Sequence, residues 1–239
     1  MKKVELVAKT IGVNEYDKLS LEEITAAVAR HGIIKEDNGR LVKYLMEHKH
    51  YSPLEAVHFT FKIETKRAIA TQIFRHRSLN PQERSLRYDR VVGEKPVQDI
   101  ELRLQAEKNR QSSTDTVASI IYSLDNNMFV PYFEVNLTAE QTLAIHSTCK
   151  ALNDTLKAYN LLIDSGVARE CARDILPLAT TTHIHITGSL RSFLSFLNVR
   201  MDSHAQKDIV EVAEAIGNAL EVEMPNVFAK IDWRKGMFM

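Results

Sequence analysis

Alternating apolar residues predict the strands of this chain. In "VHFTFKI", the side chains of Val57, Phe59, Phe61 and Ile63 fall on one side of an extended segment, and polar side chains fall on the other. The segments "RSLRYDRVV" and "THIHIT" alternate in the same way. We therefore expect three strands, the first of them half-buried.

Apolar residues at three- and four-residue spacing predict the helices. Ser20 is a plausible N-cap, Gly166 and Pro225 are stop signals, and Ser203 with Gln206 has the spacing of a capping box. The expected helices are "SLEEITAAVAR", "GRLVKYLMEHKH", "TKRAIATQIF", "AEQTLAIHSTCKALNDTLKAYNLLIDSG", "ARECARDIL", "SLRSFLSFLNVR" and "SHAQKDIVEVAEAIGNALEVEM".

The order of these elements indicates the fold class. Residues 93–116 are polar and without a period, so "EKNRQSSTDT" is expected to be an exposed loop. Strands alternate with long helices, but two strands are flanked by short connections. This favours α+β, with an antiparallel or mixed sheet packed with long helices, over a doubly wound parallel sheet. No repeat or flexible linker divides the chain, so we expect a single large domain over residues 1–239.

Composition excludes several classes of protein. The 239 residues are 44% hydrophobic and 26% charged, with two cysteines and a formal net charge of +0. This is ordinary globular composition, without a disulfide framework or the positive charge of a dedicated nucleic-acid protein. There is no signal peptide or apolar membrane span, so we expect no membrane and a cytoplasmic protein, or one of the host cytoplasm if it is viral.

Positive charge is nevertheless concentrated in "IFRHRSLNPQERSLRY". Cations at the end of the preceding helix could simply complement the helix dipole. However, an arginine and a hydroxyl two residues apart on a strand, as at Ser85 and Arg87, suit a phosphate. The downstream helix "SLRSFLSFLNVR" also carries Arg191 and Arg200 without any carboxylate. These blocks predict an anionic ligand.

Other chemistries remain open but are less favoured. His48, His50, His183 and His185 form two pairs without a cysteine or carboxylate cluster to complete a ligand set, so we expect no metal site. Ser85 and His76 would suit a hydrolase, but no Gly-x-Ser-x-Gly elbow is present. A nucleic-acid-binding module lacks the aromatic residues that should accompany the arginines.

The arginine block resembles a known family. Arg75-His76-Arg77, seven residues and then Ser85 match the signature of the flavin-dependent thymidylate synthases. Four further stretches resemble that family in the same order, and together they cover roughly residues 20–220: "HKHYSPLEAVHFTF", "QIFRHR", "ECARDILPL" and "LNVRMDSHAQ".

The resemblance implies an enzyme that methylates dUMP at C5 to give dTMP. Its one-carbon donor would be methylenetetrahydrofolate, and FAD reduced by NADPH would supply the hydride. It also implies a homotetramer with active sites between subunits, small-molecule substrates and no nucleic acid. Transfer of a different one-carbon group, and NADH in place of NADPH, remain open.

Single residues are carried over by their match to the family. Arg200 is implied to be catalytic, because it matches the arginine that engages the uracil ring and favours its ionised form. The implied dUMP-binding residues are Gln72, Arg75, Glu83, Arg84, Ser85, Arg87, Arg173 and Arg200, with Arg173 reaching the nucleotide of another subunit. The implied FAD-binding residues are Ser52, Arg75, His76, Arg77, Glu83, Ser189, Arg191, Ser195 and His204.

The chain departs from the family pattern in a few places. Arg30-His31-Gly32 stands where an Arg-Val-Ser stretch is expected, so one flavin-side hydroxyl is missing. Ser189 and Ser195 stand at positions that can be asparagine. Neither cysteine is expected to be catalytic. Cys149 lies in an apolar helical stripe, and Cys171 is expected to be buried on the face opposite its neighbouring arginines.

Overall fold

The computed structural model describes residues 3–36, 39–91, 96–108 and 113–239. Its contacts divide the chain into two compact units, both discontinuous in sequence. The first unit comprises Met1–Glu64, Thr71–Gln82 and His183–Met239, and the second comprises Thr65–Ala70 and Glu83–Thr182. That the whole of 1–239 is one domain stays a prediction.

The elements follow one another in a mixed order. The strands are β1 (Lys3–Lys9), β2 (His58–Lys66), β3 (Asn80–Glu83), β4 (Ile100–Gln105), β5 (Ser113–Ser123), β6 (Met128–Phe133) and β7 (Thr181–Ser189). The helices are α1 (Leu21–Ala29), α2 (Arg40–Glu47), α3 (Arg67–Ile73), α4 (Ala139–Asp164), α5 (Arg169–Ala172), α6 (Leu190–Arg200), α7 (Lys207–Glu223) and α8 (Pro225–Phe228).

The sheet of the first unit has β2 and β7 as its inner strands. The strand order is β1-β2-β7-β3, and β1 pairs with β2 in antiparallel register from Lys3↔Glu64 to Lys9↔Phe59. On β2, Phe59, Phe61 and Ile63 are at most 1% exposed, as their alternation predicts. One face of β2 is therefore apolar and buried.

Helix α6 packs its apolar stripe against this face. Leu190, Phe193, Leu194 and Leu197 are completely buried. The ring of Phe193 lies edge-on to that of Phe61, with 5.2 Å between the ring centroids. This packing fixes the axis of α6, and with it the position of Arg200 in the helix's last turn.

The second unit is a three-stranded antiparallel sheet and the long helix α4. The strand order is β4-β5-β6. A capping box between Thr138 and Gln141 starts the helix. The apolar side of α4 packs on the sheet, and together they bury Val97, Ala118, Ile120, Phe129, Ile145, Cys149, Leu152 and Leu156.

The predicted fold class is confirmed. Long helices accompany antiparallel sheets, which is the α+β arrangement. The predicted cap at Ser20 is also confirmed, because its hydroxyl accepts from the Glu23 amide at 3.3 Å. None of the described helices is both long enough and apolar enough to cross a membrane.

The strand predicted at "RSLRYDRVV" is wrong. Residues 86–88 form a turn, in which the amides of Tyr88 and Asp89 donate to the Ser85 carbonyl at 3.2 and 3.1 Å. The Ser85 hydroxyl accepts from the Arg87 amide at 3.3 Å, a local bond that favours turns. The strand lies earlier, at Asn80–Glu83, where Pro81 is tolerated because β3 is at the sheet edge.

The exposed loop expected at "EKNRQSSTDT" is also partly wrong, because β5 begins within it at Ser113. Strand β4 lies in the polar stretch that precedes it and pairs with β5 in antiparallel register. Ile100 and Leu102 on β4 pack against the core of the second unit. Residues 109–112 of "EKNRQSSTDT" lie outside the described residues.

Two local predictions need correction. No side chain caps α7, whose N-cap is Gln206, so Ser203 and Gln206 do not form a capping box. Cys171 is exposed, because α5 is a single turn that buries Ala172 instead. Cys149 is buried, as expected.

Candidate functional site

In the first unit, the end of α6 meets the end of α3. The Arg200 side chain donates from Nε to His76 Nε2 at 2.8 Å, and from Nη2 to the carbonyl oxygen of Gln72 at 2.9 Å. Because a guanidinium can only donate, His76 Nε2 must be unprotonated here. The neutral ring therefore carries its proton on Nδ1.

The acid–base properties of this pair agree with its geometry. Burial, and then the charge of Arg200, lower the pKa of His76 from 6.5 to about 4. Burial also lowers the pKa of Arg200, but a guanidinium starts so high that it stays charged. At neutral pH the pair is a neutral acceptor beside a cation.

The side chain of Gln72 is held by a chain of hydrogen bonds that leads to Asp208. Its side-chain amide donates to Gln206 Oε1 at 2.7 Å, and the Gln206 amide donates to Asp208 Oδ2 at 3.3 Å. Asp208 is buried in the first turn of α7. Sequence reasoning missed Gln206 as a site residue. Its place just after the Arg200 stretch and before a helix was the available signal.

The other flavin-side candidates of the first unit are more exposed. Arg191 pairs with Glu55 at 3.3 Å, and the two side chains are about equally exposed, at 49% and 50%. His204 Nδ1 lies 2.8 Å from Asp202 Oδ1, and hydrogen bonds from His204 lower the pKa of Asp202. Arg75, Arg77, Ser52 and Ser195 are also exposed. These side chains are open to a ligand.

Ser189 is different, because its hydroxyl has structural partners. It caps α6 by accepting from the Ser192 amide at 3.2 Å, and it lies 3.0 Å from the Ser192 hydroxyl. The residue is only 3% exposed. Its role in holding flavin stays a prediction, whereas its capping of α6 follows from the structure.

In the second unit, the turn at Ser85 carries most of the nucleotide-side candidates. Arg84 pairs with Asp89 at 2.8 Å. Arg87 pairs with Glu170 of α5 at 3.3 Å, and Arg169 of the same helix donates to the Tyr88 carbonyl. Helix α5 therefore contacts this turn through one ion pair and one hydrogen bond.

Glu83 has two partners in the same unit. The hydroxyl of Thr182 donates to Glu83 Oε1 at 2.8 Å, and the guanidinium of Arg67 lies 3.6 Å from Glu83 Oε2. Arg67 also lines a cavity of about 280 Å³ together with Arg173. The sequence did not single out Arg67 or Thr182, because neither belongs to the stretches that carry the family resemblance.

A larger cavity, of about 660 Å³, lies elsewhere in the second unit. Its walls include Tyr122, Asn153 and Lys157, and none of the residues predicted for the nucleotide or the flavin lines it. Cavity size therefore does not locate the candidate site of this protein.

Comparison with known proteins shows the family. Residues 4–226 match the family described as thymidylate synthase complementing protein. A probable flavin-dependent thymidylate synthase of Paramecium bursaria Chlorella virus 1 is 31% identical over 222 residues, 93% of each chain. The flavin-dependent thymidylate synthase of Synechocystis sp. is 32% identical over 91% of this chain and 92% of that protein. The chain belongs to the flavin-dependent thymidylate synthase family.

A solved structure also resembles this member of the flavin-dependent thymidylate synthase family. The UMP/dUMP methylase PolB from Streptomyces cacaoi, bound with 5-Br UMP, superimposes with a TM-score of 0.71 and 25% identity. The match covers 96% of this chain and 93% of that one. The likeness thus extends over both compact units.

Family membership confirms the resemblance seen in the sequence. It does not test which single residues of this flavin-dependent thymidylate synthase family member contact the nucleotide or the flavin, so those assignments stay predictions. The structure does bring Gln72, His76 and Arg200 together in the first unit, and Ser85, Arg84 and Arg87 together in the second.

Proposed function

We propose that the protein converts dUMP to dTMP. Methylenetetrahydrofolate would donate the one-carbon unit, and FAD reduced by NADPH would supply the hydride. The names of the relatives support the reaction, and the structural neighbour is a methylase of UMP and dUMP. The observation that carries the proposal is the fixed guanidinium of Arg200 beside a neutral His76.

The residues of the first unit fit a flavin dinucleotide. Such a cofactor carries a diphosphate, and Arg75, Arg77 and Arg191 are exposed cations with hydrogen-bond donors suited to phosphate oxygens. Arg191 has one exposed carboxylate partner, and exposed pairs of this kind contribute about 0–1 kcal/mol. A phosphate can therefore replace Glu55 at little cost. When bound and reduced, the flavin supplies the hydride that completes the methyl group.

The residues of the second unit suit the nucleotide phosphate. The pair between Arg87 and Glu170 is more than half exposed on both sides, so it too is easily exchanged for a doubly charged phosphate. The Ser85 hydroxyl stands in the turn beside Arg87 and can donate a further hydrogen bond. Arg173 is proposed to reach the nucleotide of a neighbouring subunit, within a homotetramer.

Arg200 is proposed to act on the uracil ring. A cation at a uracil oxygen stabilises the negative charge that develops as C5 becomes nucleophilic. The guanidinium is already oriented by two acceptors, so it does not need to reorganise during the reaction. Removal of one such preorganised donor typically raises the barrier by about 2.7–4 kcal/mol.

The test is a complete reaction with product analysis. Purified protein, dUMP, methylenetetrahydrofolate, FAD and NADPH should give dTMP by mass spectrometry, and the protein should show a flavin absorption spectrum. Arg200→Ala should lower kcat by about 100- to 1,000-fold with flavin content unchanged. Arg40→Ala, which removes an exposed arginine at the start of α2, is the control and should match the parent protein. Near-normal turnover of Arg200→Ala would remove its catalytic role.

The structural neighbour favours a second substrate for the same test. PolB is a methylase of UMP as well as dUMP. UMP should therefore be offered alone and in competition with dUMP. A preference for UMP would change the substrate of the proposal but leave the C5 transfer in place, and the product mass would reveal any group other than methyl.

A further inference from the structure

The Arg200 side chain has two of its three nitrogens engaged. Nε is bound to His76, and Nη2 is bound to the Gln72 carbonyl. No hydrogen bond from Nη1 is recorded to the residues that the structure describes. A planar group held at two corners cannot rotate, so the direction in which Nη1 points is fixed.

We propose that His76 is a positioning residue: its neutral imidazole, with the Gln72 carbonyl, orients the Arg200 guanidinium so that Nη1 is presented to the uracil ring. This inference rests on the proposed function and deepens it. It assigns to His76 a role on the nucleotide side, in addition to the flavin-side contact that the family resemblance implies.

The His76 residue is itself held in place. The backbone amide of His76 donates to the Ile73 carbonyl at 3.0 Å, which continues the turn at the end of α3. The ring meets the completely buried ring of Phe196 edge-on, with 4.8 Å between centroids. Because Phe196 lies on α6, the helix that carries Arg200 also fixes the ring that orients it.

The ring must be neutral to do this. A protonated imidazole would present an N–H to the Arg200 Nε–H, and the bond would be lost. The charged group that faces the ring from α6 is Arg200 itself. Arg75 and Arg77 are exposed neighbours on the ring's own segment, and the carboxylate of Asp208, at the start of α7, is bound by an amide. Burial and the charge of Arg200 thus both oppose protonation of the ring.

Gln72, the second group that binds the Arg200 guanidinium, is also held by a neighbour. The Gln72 side chain is bound to Gln206, so the last turn of α3 is tied to the residue that begins α7. The carbonyl of Gln72 lies in this same turn and accepts from Arg200 at 2.9 Å. His76 and Gln72 together form one rigid frame for the guanidinium.

Two amide substitutions separate this role from simple packing. In His76→Gln, the side-chain oxygen reaches the place of Nε2 and can still accept from Arg200. In His76→Asn, the amide reaches only the place of Nδ1 and cannot. We expect His76→Gln to keep kcat within about tenfold of the parent and His76→Asn to lose on the order of 100-fold, as for other lost electrostatic devices. His58→Gln, at an exposed position on β2, is the matched control and should change nothing.

Further readouts exclude indirect effects. KM for dUMP should change much less than kcat when all variants are assayed with saturating FAD, which is required because His76 is also a predicted flavin contact. If the two His76 variants behave alike, or if excess FAD restores His76→Asn, the ring acts through packing or through the flavin and the proposal is overturned.

A measurement without turnover tests the contact itself. In ¹⁵N-histidine NMR, the ring of His76 should stay in the Nδ1–H form at pH 6, and Arg200→Ala should raise its pKa. An unchanged pKa would sink the inference even in an active enzyme. If the parent makes no thymidylate at all, the proposed function fails, and this NMR result still decides whether His76 holds Arg200.

Discussion

His76 makes the folded protein less stable in acid. Its pKa is 6.5 in an ordinary environment and about 4 in the folded chain. Between these values the unfolded state binds more protons than the folded state, so the free energy of unfolding falls as the pH is lowered from 6.5 to 4. Above pH 6.5 this group contributes no further change.

The prediction is a smaller acid sensitivity in His76→Gln. Urea midpoints of the parent protein and of the variant should converge between pH 6.5 and pH 5, because only the parent has the buried histidine. The control is His58→Gln, which should keep the full pH slope. Parallel curves for the parent and His76→Gln would show that another group is responsible.

The cysteines give a second residue-scale prediction. Cys149 is buried, and burial raises the pKa of its thiol, so it is a poor nucleophile. Cys171 is exposed on α5, where the sequence had placed it in the interior. We expect Cys149→Ser, Cys171→Ser to keep making thymidylate, with Cys149→Ser alone losing about 1–3 kcal/mol of stability from its buried hydroxyl.

The assay must separate stability from chemistry. Turnover should be measured at a temperature well below the melting point of the double variant, with flavin content confirmed. A folded, flavin-loaded double variant without turnover would move the reaction to a cysteine, and Cys171→Ser alone would then show whether the exposed thiol is responsible.

The sequence proposes single site residues but not the partners that these residues have in the fold. The arginine pattern identifies Arg87, Arg191 and Arg200 without any knowledge of the fold. Which atom each one binds depends on elements far apart in the chain: Glu170 for Arg87, Glu55 for Arg191 and His76 for Arg200. No local pattern encodes such pairs.

At the scale of helices, Gly217 shows how packing overrides propensity. It lies in the middle of α7, where alanine would normally stabilise a helix. A methyl group there would overlap the six-membered ring of Trp233, which is 1% exposed. We therefore expect Gly217→Ala to lower the stability by about 1–3 kcal/mol, measured by urea unfolding.

A double-mutant cycle tests this explanation. Trp233→Phe removes the ring atoms that the new methyl would meet, so Gly217→Ala should cost less in that background. Equal costs in both backgrounds would mean that Trp233 is not the cause.

Strands and helices were predicted correctly where apolar residues recur regularly along the sequence. Strand β2 and helix α6 were predicted well because their apolar residues line a completely buried face. The strand at Asn80–Glu83 was missed because all four of its residues are polar or proline, and its hydrogen bonds to β7 define it instead. Elements that depend on a neighbouring strand rather than on burial leave little trace in the sequence.

For the whole molecule, we expect a homotetramer with a mass near four times the 27.2 kDa chain. The family resemblance places Arg87 and Arg173 of different subunits at one nucleotide. Arg87→Ala and Arg173→Ala proteins should each be inactive, and mixing them after subunit exchange should restore part of the activity. Light scattering measures the mass, and the assay measures the recovery.

The outcome that contradicts this prediction is clear. If subunit exchange is proven by labelled chains but no activity returns, each site is complete within one chain. Each variant carried alone through the same exchange treatment is the negative control and should stay inactive.

The second unit interrupts the first unit in sequence, and this affects how the first unit folds during synthesis. Strand β2 lies beside β7 in the sheet, yet the sequence of the second unit separates the two. On a growing polypeptide, the apolar side of β2 therefore waits without its inner neighbour or α6, while the core of the second unit can already close from consecutive residues. We therefore expect Phe59, Phe61 and Ile63 to stay exposed on the nascent chain until β7 and α6 have been synthesised.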